Sequence, residues 1–131
     1  MTESVKPGDS REVVLVDNLL RTQLVMYSGA SGDYNPLHSD EPFARHAGYP
    51  GVFGHGMLTM GMTGRIVTDW FGADKLTRYG GRFRAQVWPG DTLTARATVD
   101  SVEGDTVELT VVTTNQNGEE VFAGYATATL A

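Results

Sequence analysis

Residues 55–71 read HGMLTMGMTGRIVTDWF, from His55 to Phe71. Apolar side chains fall on nearly every face of this run for about four helical turns. Gly61 and Gly64 lie inside it, where an exposed amphipathic helix would not favour them. The composition predicts a helix enclosed by other structure. Met57, Met60 and Met62 are expected to fill the core around it, and the two glycines to let neighbouring strand backbones come close. Trp70 and Trp88 read as packing residues.

Downstream the period changes from helical to alternating. After Gly80-Gly81, residues Phe83, Ala85 and Val87 alternate with Arg82, Arg84 and Gln86, and Pro89-Gly90-Asp91 supplies turn chemistry. Leu93, Ala95, Ala97 and Val99 share one face of a next strand, Gly104-Asp105 turns the chain, and Val107, Leu109 and Val111 share a face of another. Asn117-Gly118 is a hairpin signal before a strand over 121–130. Upstream, a short strand is expected over 11–16. A helix follows over 19–28, with Leu20, Leu24 and Tyr27 on one face and Gly29, Gly32 and Asn35-Pro36 ending it. A polar loop over 31–40 leads to a short helix over 41–46, with Pro42 in its first turn. The plan is α+β, one domain over residues 1–131 in which an antiparallel sheet wraps a long helix.

A chain of 131 residues, 40% of them hydrophobic, can bury roughly two thirds of its unfolded surface without disulfides or a structural metal. The absence of cysteine removes thiolate metal sites, iron–sulfur clusters and cysteine nucleophiles, and makes a cytoplasmic location the simplest expectation. The opening MTESVKPGDSREVV is charged and has no apolar core, and no apolar run nears the ~18 residues of a membrane span, so neither a secretory signal nor a span is expected. A net charge of −6 argues against a general nucleic-acid or anionic-membrane binder. That total hides an uneven distribution. From Arg45 to Arg84 the local balance is +4, leaving −10 for the rest. Such a segment is either a solvated surface or a docking face for a phosphate-bearing or acidic partner.

The dense cluster of acid–base groups is Ser31-Gly32-Asp33-Tyr34-Asn35-Pro36-Leu37-His38-Ser39-Asp40. Asn35-Pro36 restrains the backbone between Asp33 and His38, because proline fixes its own φ and biases the residue before it toward extended conformations. A carboxylate and an imidazole in one restrained loop can share a water, one taking its proton while the other orients it. Turn hydrogen bonds and an ordinary histidine would also produce the pattern. The difference lies in His55-Gly56-Met57 at the start of the long helix. Backbone N–H groups near Gly56 have no intrahelical partner there and carry the positive end of the helix dipole, which suits a developing oxyanion. His38, His46 and His55 with Asp33, Asp40 and Glu41 lack metal-ligand spacing, so no metal is expected. Residues 48–56 lack the Lys-Ser/Thr of a phosphate loop and a dinucleotide fingerprint, so no nucleotide cofactor is expected either.

Residues 27–40 with Phe43-Ala44 resemble the hydratase motif of the MaoC-like family of (R)-specific enoyl-thioester hydratases and dehydratases. Gly32, Asp33, Asn35, Pro36 and His38 occupy its Gly-Asp-x-Asn-Pro-x-His places, and His55-Gly56-Met57 its second element. Residues 55–62 and 67–70 are most similar to the B subunits of (3R)-hydroxyacyl-carrier dehydratases of the mycolic-acid type. The resemblance implies a hot-dog fold, a central helix wrapped by an antiparallel sheet. It also implies a hydro-lyase in which Asp33 and His38 are the catalytic pair, the Gly56 amide is the oxyanion donor, and Asn35 supports the loop. Gly64 stands where some single-chain members carry a serine. The implied substrate is an acyl thioester of CoA or of an acyl carrier protein, and the implied assembly a homodimer or a heterodimer with another hot-dog subunit. A hot-dog thioesterase and a non-catalytic partner subunit are the competing readings.

Overall fold

The structure is a computed structural model and describes residues 4–131; the first three residues of the expected domain lie outside the described residues. The elements are β1 (Ser10–Val16), α1 (Arg21–Ser31), a 3-10 turn (Pro36–His38), α2 (Glu41–His46), α3 (Gly56–Phe71), β2 (Leu76–Phe83), β3 (Leu93–Glu103), β4 (Thr106–Thr114) and β5 (Glu120–Thr129). The strands form one antiparallel sheet in the order β1-β3-β4-β5-β2. This is the hot-dog arrangement.

The alternation of β3 and β4 decides which face the sheet buries. Ala95, Ala97 and Val99 on one strand and Val107, Leu109 and Val111 on the other pack with Phe122, Ala126 and Ala128 of β5 against Ile66, Val67 and Phe71 of α3. Alanines on the sheet keep the helix close, and the larger side chains fill the remaining space. A second cluster, with Leu19, Leu24, Ala44, Val52, Val87, Leu93 and Val121, joins α1 and α2 to the start of the sheet, with Leu58 and Met62 of α3 against it. Among the described residues no helix is long and apolar enough to cross a membrane.

Several sequence expectations are corrected. The helix expected over 19–28 runs Arg21–Ser31. Leu20 lies before it on the surface while Leu19 is buried, because Gln23 Oε1 accepts the Leu20 N–H at 2.8 Å and sets the first turn there. Gly29 is carried within α1, which ends at Gly32 in the left-handed region, φ 77°. The strand expected after Gly80-Gly81 instead runs through them and ends at Phe83. Gly81 is needed inside it, since a Cβ there would collide with Phe122 and the β5 backbone, while over Gly80 the outer end of the half-exposed Tyr125 ring fills the space. Beyond Arg84 the chain leaves β5, and the Val87 carbonyl accepts from Gly54 N at 2.6 Å.

The long helix is not enclosed on all sides. Met57, Gly61, Arg65 and Asp69, one helical row, face outward, with Met57 56% exposed. Met60 and Met62 are partly buried as expected, whereas Met57 is not. At neither glycine does a strand backbone come close: the Tyr79 side chain lies over Gly64, and nothing lies over Gly61. Trp70 stacks on Phe71, and Trp88 meets Phe53 edge-on.

Candidate active site

A relay of short polar bonds shapes the loop after α1. Ser31 Oγ accepts from Asp33 N at 3.1 Å, Asp33 Oδ1 from Asn35 N at 3.2 Å, and Asn35 Oδ1 from Leu37 N at 3.1 Å. The last bond, with Pro36 in the first turn, starts the 3-10 turn that carries His38. Asp40 Oδ1 then accepts from Phe43 N and starts α2. Each link is a short side chain bonding backbone two or three residues on, the habit that makes Asp, Asn and Ser turn formers.

This geometry brings Asp33 and His38 face to face. His38 is buried, and its Nδ1 lies 2.6 Å from the Phe53 carbonyl oxygen, so Nδ1 carries the proton and donates it. In the neutral ring the lone pair is then on Nε2, which stands 3.9 Å from Asp33 Oδ2. That gap is too long for a direct hydrogen bond and short enough for one water to touch both groups. The Asp33 side chain is 50% exposed, so solvent reaches the pair from its side.

His55, part of the sequence motif without an assigned role, stacks on His38 with centroids 3.8 Å apart and planes at 24°. Its Nε2 is 3.0 Å from Ser28 Oγ on α1. Burial, followed by the neighbouring His38, holds its pKa below the usual histidine value, offset in part by the Asp33 backbone and charge. Ser28 and Phe53 were not legible as site residues, since only the fold brings them to the histidines.

Gly56 opens α3, and its position carries two consequences. The first α3 amides with backbone partners are Leu58 and Thr59, both on the His55 carbonyl, so the amides of Gly56 and Met57 precede the paired turn. A Cβ at Gly56 would stand 3.0 Å from the Phe83 ring. A cavity of about 320 Å³ begins there, lined by Phe53, Gly56, Thr59, Phe83, Arg84 and Val121 among others, but not by Asp33 or His38. Phe53 separates the two parts, its carbonyl holding His38 while the residue lines the cavity. Of the basic segment, Arg84 reaches this cavity, whereas Arg45 pairs with Glu41, Arg78 lies over Tyr125 and Lys75 bonds the Ala131 carbonyl.

Spacing alone gave no metal site, yet the fold gathers donor atoms of Asp33, His38 and His55 within 4.8 Å of one another. The residues do not fit a shared ion. Imidazole lone pairs lie in the ring planes, and two rings stacked at 3.8 Å would hold an ion at bonding distance from both nitrogens only out of both planes.

Residues 3–121 match the family described as MaoC like domain. An enoyl-CoA hydratase of Mycobacterium tuberculosis, ChsH3, is 33% identical over 123 residues, covering 92% of this chain and 42% of that protein. The chain thus spans less than half the length of this curated relative. The solved structure of the ChsH1-ChsH2 complex from Mycobacterium tuberculosis aligns with TM-score 0.83 at 25% identity, covering 97% of this chain and 99% of the other. The (R)-hydratase from A. caviae involved in PHA biosynthesis aligns with TM-score 0.88 over 99% and 100% of the two chains, at 22% identity, a likeness of fold.

Proposed function

The chain belongs to the MaoC-like domain family, and we infer from that premise and the loop geometry that it is a hydro-lyase interconverting (3R)-3-hydroxyacyl thioesters with trans-2-enoyl thioesters and water. The observation that carries this reading is the Asp33–His38 pair, open across 3.9 Å while the far nitrogen of His38 is tied to a carbonyl. In hydration, a water between the two groups is oriented by one and deprotonated by the other, its oxygen adds to C3, and the proton is returned to C2. Dehydration reverses these steps. The Gly56 amide, at the positive end of α3, donates to the thioester oxygen as the enolate forms; losing one such donor typically costs about 100- to 1,000-fold in rate. Asn35 supports the loop through its bond to Leu37 N.

The substrate is a phosphopantetheine thioester, carried by CoA or by an acyl carrier protein, and Arg84 at the cavity is the cation placed to meet its anionic arm. A second hot-dog subunit, a copy or a companion, covers the exposed row of α3 and the half-exposed Phe83. The solved relative titled as a ChsH1-ChsH2 complex supports a paired assembly. The test mixes purified protein, alone and with candidate hot-dog companions, with trans-2-enoyl-CoA and enoyl-carrier thioesters. Loss of the conjugated-thioester absorbance without free thiol is expected. Thiol release without hydration would place the chain among thioesterases instead.

A further inference from the structure

His55 is 1% exposed, and the hydration steps give it no part. It is nevertheless engaged from several sides: Ser28 Oγ of α1 bonds Nε2 at 3.0 Å, the His38 ring covers one face at 3.8 Å, and Tyr27 meets it edge-on at 4.8 Å. Its Nδ1 is buried without a hydrogen bond of ordinary geometry, although the Asp33 backbone bears on the ring. A buried, poorly satisfied nitrogen is a cost that a leucine or phenylalanine of similar bulk would avoid, so packing alone does not account for an imidazole. The residue after it is Gly56, the proposed oxyanion donor.

We propose that His55 is a positioning residue: bonded to Ser28 and stacked on His38, it holds the Gly56 amide in register with the Asp33–His38 pair. The consequence for rate rests on the hydro-lyase reading; the geometry does not. The Ser28 bond sets the rotation of the His55 ring, and the stack passes that orientation to His38, whose other restraint is the Phe53 carbonyl. The titratable groups facing His55 are Tyr27 from α1 and Asp33 and His38 from the loop. Burial lowers the pKa of the ring and so favours its neutral form, and a neutral ring can remain stacked while His38 gains and loses a proton.

The test measures kcat and KM on a short trans-2-enoyl-CoA for wild type, His55→Ala, His55→Phe, Ser28→Ala and the Ser28→Ala/His55→Phe double variant, beside ¹⁵N-histidine spectra. A misplacement of about 1 Å costs on the order of 100-fold in rate. His55→Ala is therefore expected to lower kcat about 100-fold and Ser28→Ala about tenfold, with KM moving less than about twofold. Ser28→Ala should add no more than about twofold to His55→Phe, because the bond it removes is already gone. The spectra should show one Nδ1–H tautomer for His38 in wild type and an averaged signal in His55→Ala. A folded His55→Ala with kcat within about threefold of wild type, or multiplicative Ser28 and His55 effects, would overturn the proposal. If His55→Ala does not fold, the Ser28/His55→Phe cycle decides. If wild type turns over no enoyl thioester, the hydro-lyase reading falls, and an unchanged His38 tautomer in the double variant would separately overturn the positioning role.

Discussion

The Asp33–His38 loop and the α3–sheet core are held together in opposite ways. In the core, Phe122, Val67, Leu109 and their neighbours share many interchangeable apolar contacts, so shape is secured by redundancy. In the loop, a few specific contacts set the geometry, such as the bonds of Asn35 Oδ1 to Leu37 N and His38 Nδ1 to Phe53 O and the stack of His38 on His55. Losing a core side chain should cost stability across the whole domain. Losing a loop contact should cost rate while leaving the domain folded.

The sharpest way to break this contrast is Asp33→Asn. The amide oxygen can still accept the Asn35 N–H, so the loop should hold while the carboxylate is gone; hydration is expected to fall by about 100- to 10,000-fold, with an unchanged melting curve. His38→Ala should fall as far in rate, and a folded variant of either with near-normal turnover would remove the pair from the mechanism. From the other side, Phe122→Ala, in the fully buried centre, should destabilise by about 3–5 kcal/mol, read by denaturant unfolding, with kcat per folded molecule little changed. Asn35→Ala removes the turn's side-chain cap and should cost about 1 kcal/mol, with a rate loss larger than that of any equally destabilising core variant.

A smaller effect separates the regions by pH. The fold depresses the His55 pKa below 6.5, so as pH falls through that value the unfolded chain takes up a proton that the folded chain does not. Stability should therefore decline below about pH 6.5, and His55→Phe should flatten that decline while Phe122→Ala leaves its slope unchanged. Melting temperatures at a series of pH values check this. Smallest of all, a chelator should leave activity unaltered, since stacked His38 and His55 do not share an ion.

Much of this contrast could be read from the sequence, for physical reasons that differ by region. The bonds of the 31–40 loop span two or three residues, so spacing alone places Asp33, Asn35 and His38 together, and the alternation of β3 and β4 needs only local periodicity. Gly80-Gly81 misled because their role is long-range: Tyr125 and Phe122, far along the chain, occupy the space a Cβ would take. The exposed row on α3 was only half hidden: Arg65 and Asp69, four apart, mark its second half as an outward face, whereas Met57 and Gly61 carry no such sign. The Ser28–His55 bond joins residues 27 apart, and no local pattern announces it.

The most direct measurement follows the conjugated-thioester absorbance of a trans-2-enoyl-CoA with wild type and Asp33→Asn side by side. Hydration by wild type, and its near-complete loss in an Asp33→Asn variant that melts at the same temperature, is the expected result. Equal hydration by both proteins would take Asp33 out of the reaction.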